Sequence, residues 1–191
     1  MYYDPNMYRY PHPYNPVAPM YPNVSPPVYW TSPHETVHAN QFDYVHSSND
    51  KRNILHDYGK KPFVVNINEA TKQNKYYRKA IWTGNHLQVT LMSINVGEDI
   101  GLEVHPFVDQ FLRVEDGQGI VRMGPRKDHL DFEERVTDDY AIMVPAGTWH
   151  NVINTGNKPL KLYSIYAPPN HPFGTVHKTK EAAMAAEEHH G

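Results

Sequence analysis

From Tyr76 onward, short apolar runs recur along the chain, broken every 6 to 12 residues by Gly, Asn, Asp or Pro. Runs of this length and spacing predict strands rather than helices. They fall at Tyr77–Thr83, His86–Val96, Leu102–His105, Gln110–Glu115, Gln118–Gly124, Phe132–Val136, Tyr140–Val144, His150–Asn154 and Leu160–Tyr166. Turns are expected at Gly84-Asn85, Gly97–Gly101, Asp116-Gly117, Pro145–Gly147 and Thr155–Lys158. Eight or nine short strands with almost no helix predict an all-β fold, an antiparallel sandwich or small barrel able to enclose one small ligand.

Upstream, Phe63–Ile67 reads as a short strand, and Asn68 as the cap of a helix over Glu69–Asn74. A helical turn is expected near Asn49 to His56. Downstream, Thr179 caps a predicted helix over Lys180–Glu188, made of strong helix formers, with Met184 as its docking residue. The first 30 positions differ in kind, because Tyr and Pro fill 15 of them. Proline fixes φ and removes donors, so a disordered, polyproline-like tail is expected, with tyrosines as anchors for other proteins. The reading divides the chain into a tail (1–40), an irregular arm (41–75), a barrel (76–170) and a C-terminal extension with a short helix (171–191).

Composition narrows the chemistry. The formal net charge is -3 and the chain has no cysteine, so no global basic field points to nucleic acid and no thiolate can hold a metal. No apolar run approaches the roughly 20 residues of a membrane span. No basic and apolar leader opens the chain, so a cytoplasmic location is expected. Thirteen histidines are a high count, most of them assigned to surface and tails.

Strand parity singles out four of the polar groups. Glu103 and His105 are two apart and share a face. Gln110 opens the next strand after a bend at Pro106, and His150 opens a later one after Pro145–Gly147. Two imidazoles, a carboxylate and an amide oxygen suit one divalent transition metal (Zn, Mn, Fe or Ni) better than Ca or Mg. With Gln110 inward, Leu112 and Val114 also face in and Arg113 faces out. On the long strand the set Gln88, Thr90, Met92 and Ile94 is expected inside. Either Tyr163 or Tyr166 reaches the pocket mouth, and Phe107 forms an apolar lip.

These stretches resemble the two motifs of the cupin superfamily. Gly97 is followed by five residues, Glu103-Val104-His105, four residues, Gln110, six residues and Gly117; Asp139 is followed by five residues, Pro145, Gly147, His150 and Asn154. The likeness covers about residues 76 to 168. It departs from the family pattern at three positions. Glu103 stands where the first motif has its leading His, Gln110 where it has Glu, and Asp139 where the second motif has Gly.

The resemblance implies a cupin barrel, a metal at Glu103, His105, Gln110 and His150, and a homodimer paired through edge strands, with Phe63–Ile67 available to cover an edge. The ligand inventory is similar to that of zinc-dependent phosphomannose isomerases, with Glu and Gln exchanged. The segment also resembles small bacterial cupins of the mannose-6-phosphate isomerase-like group. That implies a metal-dependent, isomerase-like enzyme on a small polar substrate, a sugar or sugar derivative. His86, Tyr163 and Tyr166 are the candidate bases. No Arg or Lys stands at the inward positions identified, which argues against a sugar phosphate. Two other readings stand beside it: an Fe(II) dioxygenase, since His105, His150 and Glu103 form a two-His-one-carboxylate set, and a non-catalytic structural or ligand-binding module. The Tyr/Pro-rich tail resembles those of bacterial spore-coat proteins, which would make the chain spore-associated.

Overall fold

The structure, a computed structural model, describes residues 55–188. The expected tail, and all but the last two residues of the turn near Asn49 to His56, lie outside the described residues. The element order is α1 (Ile67–Gln73), β1 (Arg78–Thr83), β2 (Gln88–Ile94), β3 (Asp109–Asp116), β4 (Gln118–Gly124), β5 (Phe132–Thr137), β6 (Ala141–Val144), β7 (Trp149–Asn154), β8 (Leu160–Ala167), β9 (Val176–His177) and α2 (Lys180–Glu188). The strands form a six-stranded sheet, β6-β3-β8-β2-β1-β9, and a three-stranded sheet, β5-β4-β7. Every named pairing is antiparallel. The all-β expectation holds.

The register divides the interior of the large sheet into two halves. Across β2, β8 and β3, Gln88 and Gln110 both lie opposite Tyr166, and Thr90 lies opposite Ser164. Further along the same strands, Met92 and Val114 lie opposite Leu162, and Ile94 opposite Leu160. One end of the inner face is therefore polar and the other apolar. The apolar end merges with Val121, Val136 and Val152 of the small sheet in one core cluster. Met92 and Leu112, expected as pocket residues, belong to that core and form the floor beneath the polar end. Their burial is inherent in strand geometry, since inward positions extend past the polar end into the apolar core.

The outer face of the large sheet is also covered. Ala70, Ile81 and Leu91 form a second cluster with Leu55, Phe63, Val65, Ile67, Val89 and Tyr163 packed around it. Tyr163 thus faces away from the site, against Phe111 at 6.1 Å between ring centroids. Of the two tyrosines on β8, Tyr166 is the inward one.

Residues 63–66 have the expected alternation, with Val64 71% exposed between half-buried Phe63 and Val65, but they form no strand. Their side chains lie on the sheet's face, so the backbone reaches no edge to bond. The edge at β1 is instead covered by β9, through Arg78↔His177 and Lys79↔Val176. That two-residue strand lies beyond the point where the sheet was expected to end.

The helix caps differ in one case. Asn66, not Asn68, caps α1, its side chain accepting from Glu69 N at 3.2 Å. Starting two residues earlier places Ile67 against the sheet and frees the Asn68 amide to donate to buried Glu115. At α2 the Thr179 hydroxyl accepts from Ala182 N as expected. Ala183, 2% exposed, is the docking residue, while Met184 is 53% exposed.

Candidate metal centre

Leu102–His105, expected as a strand, is an irregular segment that follows β7 through single bridges, Asp99↔Ile153 and Glu103↔His150. Glu103 N donates to His150 O at 3.0 Å and His150 N returns to Glu103 O at 2.9 Å. The two motif loops also bond directly, Gly147 N to His105 O at 2.8 Å and Ala146 N to the Asp109 carboxylate at 2.9 Å. Gly147 sits at φ 78°, a left-handed conformation that glycine adopts without a Cβ penalty. These bonds fix Glu103, His105 and His150 relative to one another, although they come from opposite ends of the barrel sequence.

The three side chains converge. One ligand atom from each of Glu103, His105 and His150 lies within 4.8 Å of the others. Glu103 Oε1 is 3.3 Å from His105 Nε2 and 3.4 Å from His150 Nε2. His150 is fully buried, and its Nδ1 lies 3.0 Å from the Thr148 carbonyl. A carbonyl only accepts, so Nδ1 carries a proton, and in the metal-binding form of the ring Nε2 then presents a lone pair toward Glu103. A lone pair facing a carboxylate oxygen at this distance needs a proton or a metal ion between them. Burial pushes the Glu103 carboxyl up, but hydrogen bonding to the His105 imidazole and the charge of Arg78 are among the effects that outweigh it. Glu103 is held well below the usual carboxylate range and stays ionised. The donor set fits a divalent cation.

Gln110 lies on β3 opposite Tyr166, whose ring meets His105. It is buried, its amide nitrogen donates to Ser164 Oγ at 3.0 Å, and its Oε1 has no hydrogen-bond partner. An amide oxygen left without a donor in a buried site is available to a cation.

Around the centre stand groups of the large sheet. The Tyr166 ring meets His105 edge-on, with centroids 5.7 Å apart, and meets His171 at 5.0 Å. Burial pushes the Tyr166 hydroxyl up, so it remains a protonated donor, with Ser164 and Thr90 beside it. Gln88 is not a ligand-facing group. It clamps the segment after β8, Nε2 donating to His171 O and Oε1 accepting from His171 N, both at 2.9 Å. That clamp seats the His171 imidazole, whose Nε2 has no hydrogen-bond partner. Burial first, then the charge of Arg78, pushes His171 down to about 3.

Two residues of this site were missed from sequence. Arg78, 1% exposed, places a guanidinium nitrogen 3.7 Å from Glu103 Oε2. An arginine is therefore present inside after all, and the argument against a sugar phosphate falls. His171 was assigned to an extension beyond the barrel. Phe107 is 87% exposed. His86 is exposed in the turn before β2 and, like Tyr163, is removed as a candidate base.

Asn154 of the second motif is structural. Its amide nitrogen donates to the carbonyls of Ile94, Asn95 and Lys158, and its oxygen accepts from Gly156 N. Among the described residues no helix is long and apolar enough to cross a membrane.

The family model for the cupin domain matches residues 90–166. The chain is 66% identical over 172 residues to the uncharacterized protein YrkC of Bacillus subtilis, covering 90% of this chain and 92% of that one. It is 45% identical over 115 residues to an uncharacterized protein of Acanthamoeba polyphaga mimivirus, covering 60% of this chain and 70% of that one. The crystal structure of BH2720 from Bacillus halodurans is 71% identical, with a TM-score of 0.68, over 68% of this chain and 98% of that one. With both motifs folded into one site, the cupin model matching residues 90–166 and a relative 66% identical over 90% of the chain, the chain belongs to the cupin superfamily.

Proposed function

We propose that this cupin holds one divalent transition metal through Glu103, His105, His150 and the Gln110 amide oxygen, and that it acts on a small polar substrate, a sugar or sugar derivative, by isomerase-like proton transfer. The observation that carries the reading is the convergence of the two imidazoles on one ionised carboxylate, with the His150 tautomer set by Thr148. A bound divalent ion would supply Lewis-acid polarisation of a substrate oxygen. The chain's own groups then have separate tasks. Tyr166, kept protonated, donates to a substrate oxygen. His171, kept neutral, accepts from a substrate hydroxyl. Gln88 holds His171 in place, and the Met92–Leu112 floor closes the chamber to water from below.

The two-His-one-carboxylate set equally supports an Fe(II) dioxygenase. Both readings are tested on protein purified without added metal. Elemental analysis is expected to find about one transition metal per chain, with Glu103→Ala and His150→Ala losing it by at least about 100-fold while circular dichroism is retained. Metal-free wild-type protein overturns the proposal. Stoichiometric iron with substrate-dependent oxygen uptake selects the oxygenase instead.

A further inference from the structure

The outer face of the large sheet carries a buried cation of its own. Lys79 stands opposite Leu91 in the β1–β2 register, and residues paired in this way share a face. Leu91 belongs to the outer cluster with Ala70 and Ile81, so Lys79 turns outward, away from the metal centre. Only 6% of Lys79 is exposed. Its ammonium lies 4.9 Å from the Tyr76 ring, and among the described residues it has no carboxylate partner and no hydrogen-bond acceptor. A buried ammonium without a counter-charge is costly, and one aromatic face offsets only part of that cost. Burial accordingly pushes Lys79 below the ordinary lysine range.

Lys79 lines a recess of about 230 Å3 between the end of α1 and strands β1 and β2. Leu55, Ala70 and Leu91 give the recess apolar walls, and exposed Lys75 lines it as a second cation. The acceptors of Asn74, at the end of α1, are already taken. Asn74 Oδ1 accepts from Tyr76 N at 3.2 Å, and Asn74 O accepts from Lys161, which also donates to Ser93 Oγ at 2.9 Å. Lys161 thus brings a third ammonium to the same place. No carboxylate lines the recess. Cations converge on a partly apolar space that holds no negative group of the described chain. The space is smaller than the about 300–1,000 Å3 of pockets for drug-sized ligands, so its occupant is small.

We propose that this recess binds a small organic carboxylate with an apolar body, its carboxylate on the Lys79 ammonium and its body against Leu55, Ala70 and Leu91. An inorganic anion such as phosphate would leave the apolar walls wet, and an uncharged ligand would leave Lys79 uncompensated. The site stands apart from the metal centre, and neither needs the other.

Calorimetric titration of the purified chain with benzoate, benzamide and inorganic phosphate provides the test. Benzoate is expected to bind at least about 10-fold more tightly than either of the others. Lys79→Met keeps the apolar stem, and is expected to weaken benzoate binding at least about 10-fold while metal content stays unchanged. His150→Ala disables the metal centre and is expected to leave benzoate affinity within about 2-fold of wild type. Should Lys79→Met fail to fold, NMR of the wild-type chain decides: benzoate should shift the signals of Tyr76 and Leu91 and leave those of His105 and His150 in place. Absence of benzoate binding, equal binding of benzamide, tighter binding of phosphate, or an unaltered benzoate affinity in folded Lys79→Met overturns the proposal. Loss of benzoate binding in His150→Ala puts the carboxylate at the metal centre and overturns it as well.

Discussion

The two sheets divide the labour of the site. The three-stranded sheet and the segment bonded to β7 supply the converging ligands Glu103, His105 and His150. The six-stranded sheet supplies the wall: Arg78, Thr90, Gln110, Ser164 and Tyr166. They differ just as sharply in their outer faces. Residues 132–135 of β5 are all exposed, and β7 alternates half-buried with buried. In β1 the first four residues are all buried, and in β2 all but Val89. A sheet wet on one face advertises its inward set as a period of two, whereas a sheet covered on both faces does not.

The largest effect that separates the sheets is the cost of truncating an outward side chain. Leu91 points outward from β2 yet is 1% exposed, under the cluster formed with Ala70 and Ile81. Leu91→Ala is expected to lose about 2–5 kcal/mol, as an inner-core truncation does. Arg135→Ala, on the exposed stretch of β5, is expected to stay within about 0.5 kcal/mol of wild type. Urea unfolding of both variants checks this. A Leu91→Ala cost below about 1 kcal/mol would mean that α1 and residues 55–66 do not cover the large sheet in solution.

This contrast also accounts for what was legible. Glu103, His105 and His150 were readable because they stand in motif loops and on a strand whose partners alternate in and out. With Gln110 taken inward from the motif, Leu112 and Val114 followed from period two, and Thr90 lay on the favoured face of its strand, but the choice between Tyr163 and Tyr166 stayed open. Arg78 was not readable. Its neighbour Lys79 is also buried, with its ammonium 4.9 Å from the Tyr76 ring, so a basic pair gave no sign of which member turned inward. His171 was hidden for another reason. It reaches the chamber through a backbone clamp by Gln88, 83 positions earlier, and no local periodicity encodes a contact of that span. Phe63–Ile67 failed because alternation reports which side chains are covered and says nothing about whether the backbone finds an edge.

His171, clamped beside the large sheet, should show its presence in acid before the Glu103 carboxyl does. His171 is held neutral in the fold, down to about 3 against an ordinary value near 6.5. Between those limits the unfolded chain binds a proton that the folded chain refuses, so stability falls as pH falls. The depressed carboxyls of Glu103 and Asp99 start to contribute only below the ordinary carboxylate values, near 4. In the window from about 6.5 to about 4.5 the His171 imidazole therefore contributes and these carboxyls do not. In metal-free protein its slope is expected to approach but not exceed about 1.4 kcal/mol per pH unit. His171→Gln should flatten that slope, and an unchanged slope in the variant would remove His171 from the chamber wall.

The smallest effect lies where the chain crosses from one sheet to the other. Asp139, between β5 and β6, is the one non-glycine with positive φ among the described residues, at 70°, where the cupin motif has glycine. Its N–H donates to Val114 O at 3.0 Å, which sets the crossing, and its carboxylate pairs with Arg113 at the surface. Asp139→Gly relieves the left-handed strain but removes an exposed ion pair worth about 0–1 kcal/mol and loosens the unfolded chain by a similar amount. These terms nearly cancel, so the variant is expected within about 1 kcal/mol of wild type. Asp139→Val places a β-branched side chain at the same φ and should lose about 1–2 kcal/mol. If both variants unfold together at wild-type urea concentrations, the crossing does not depend on the left-handed turn. The sheets would then be joined by their shared core alone.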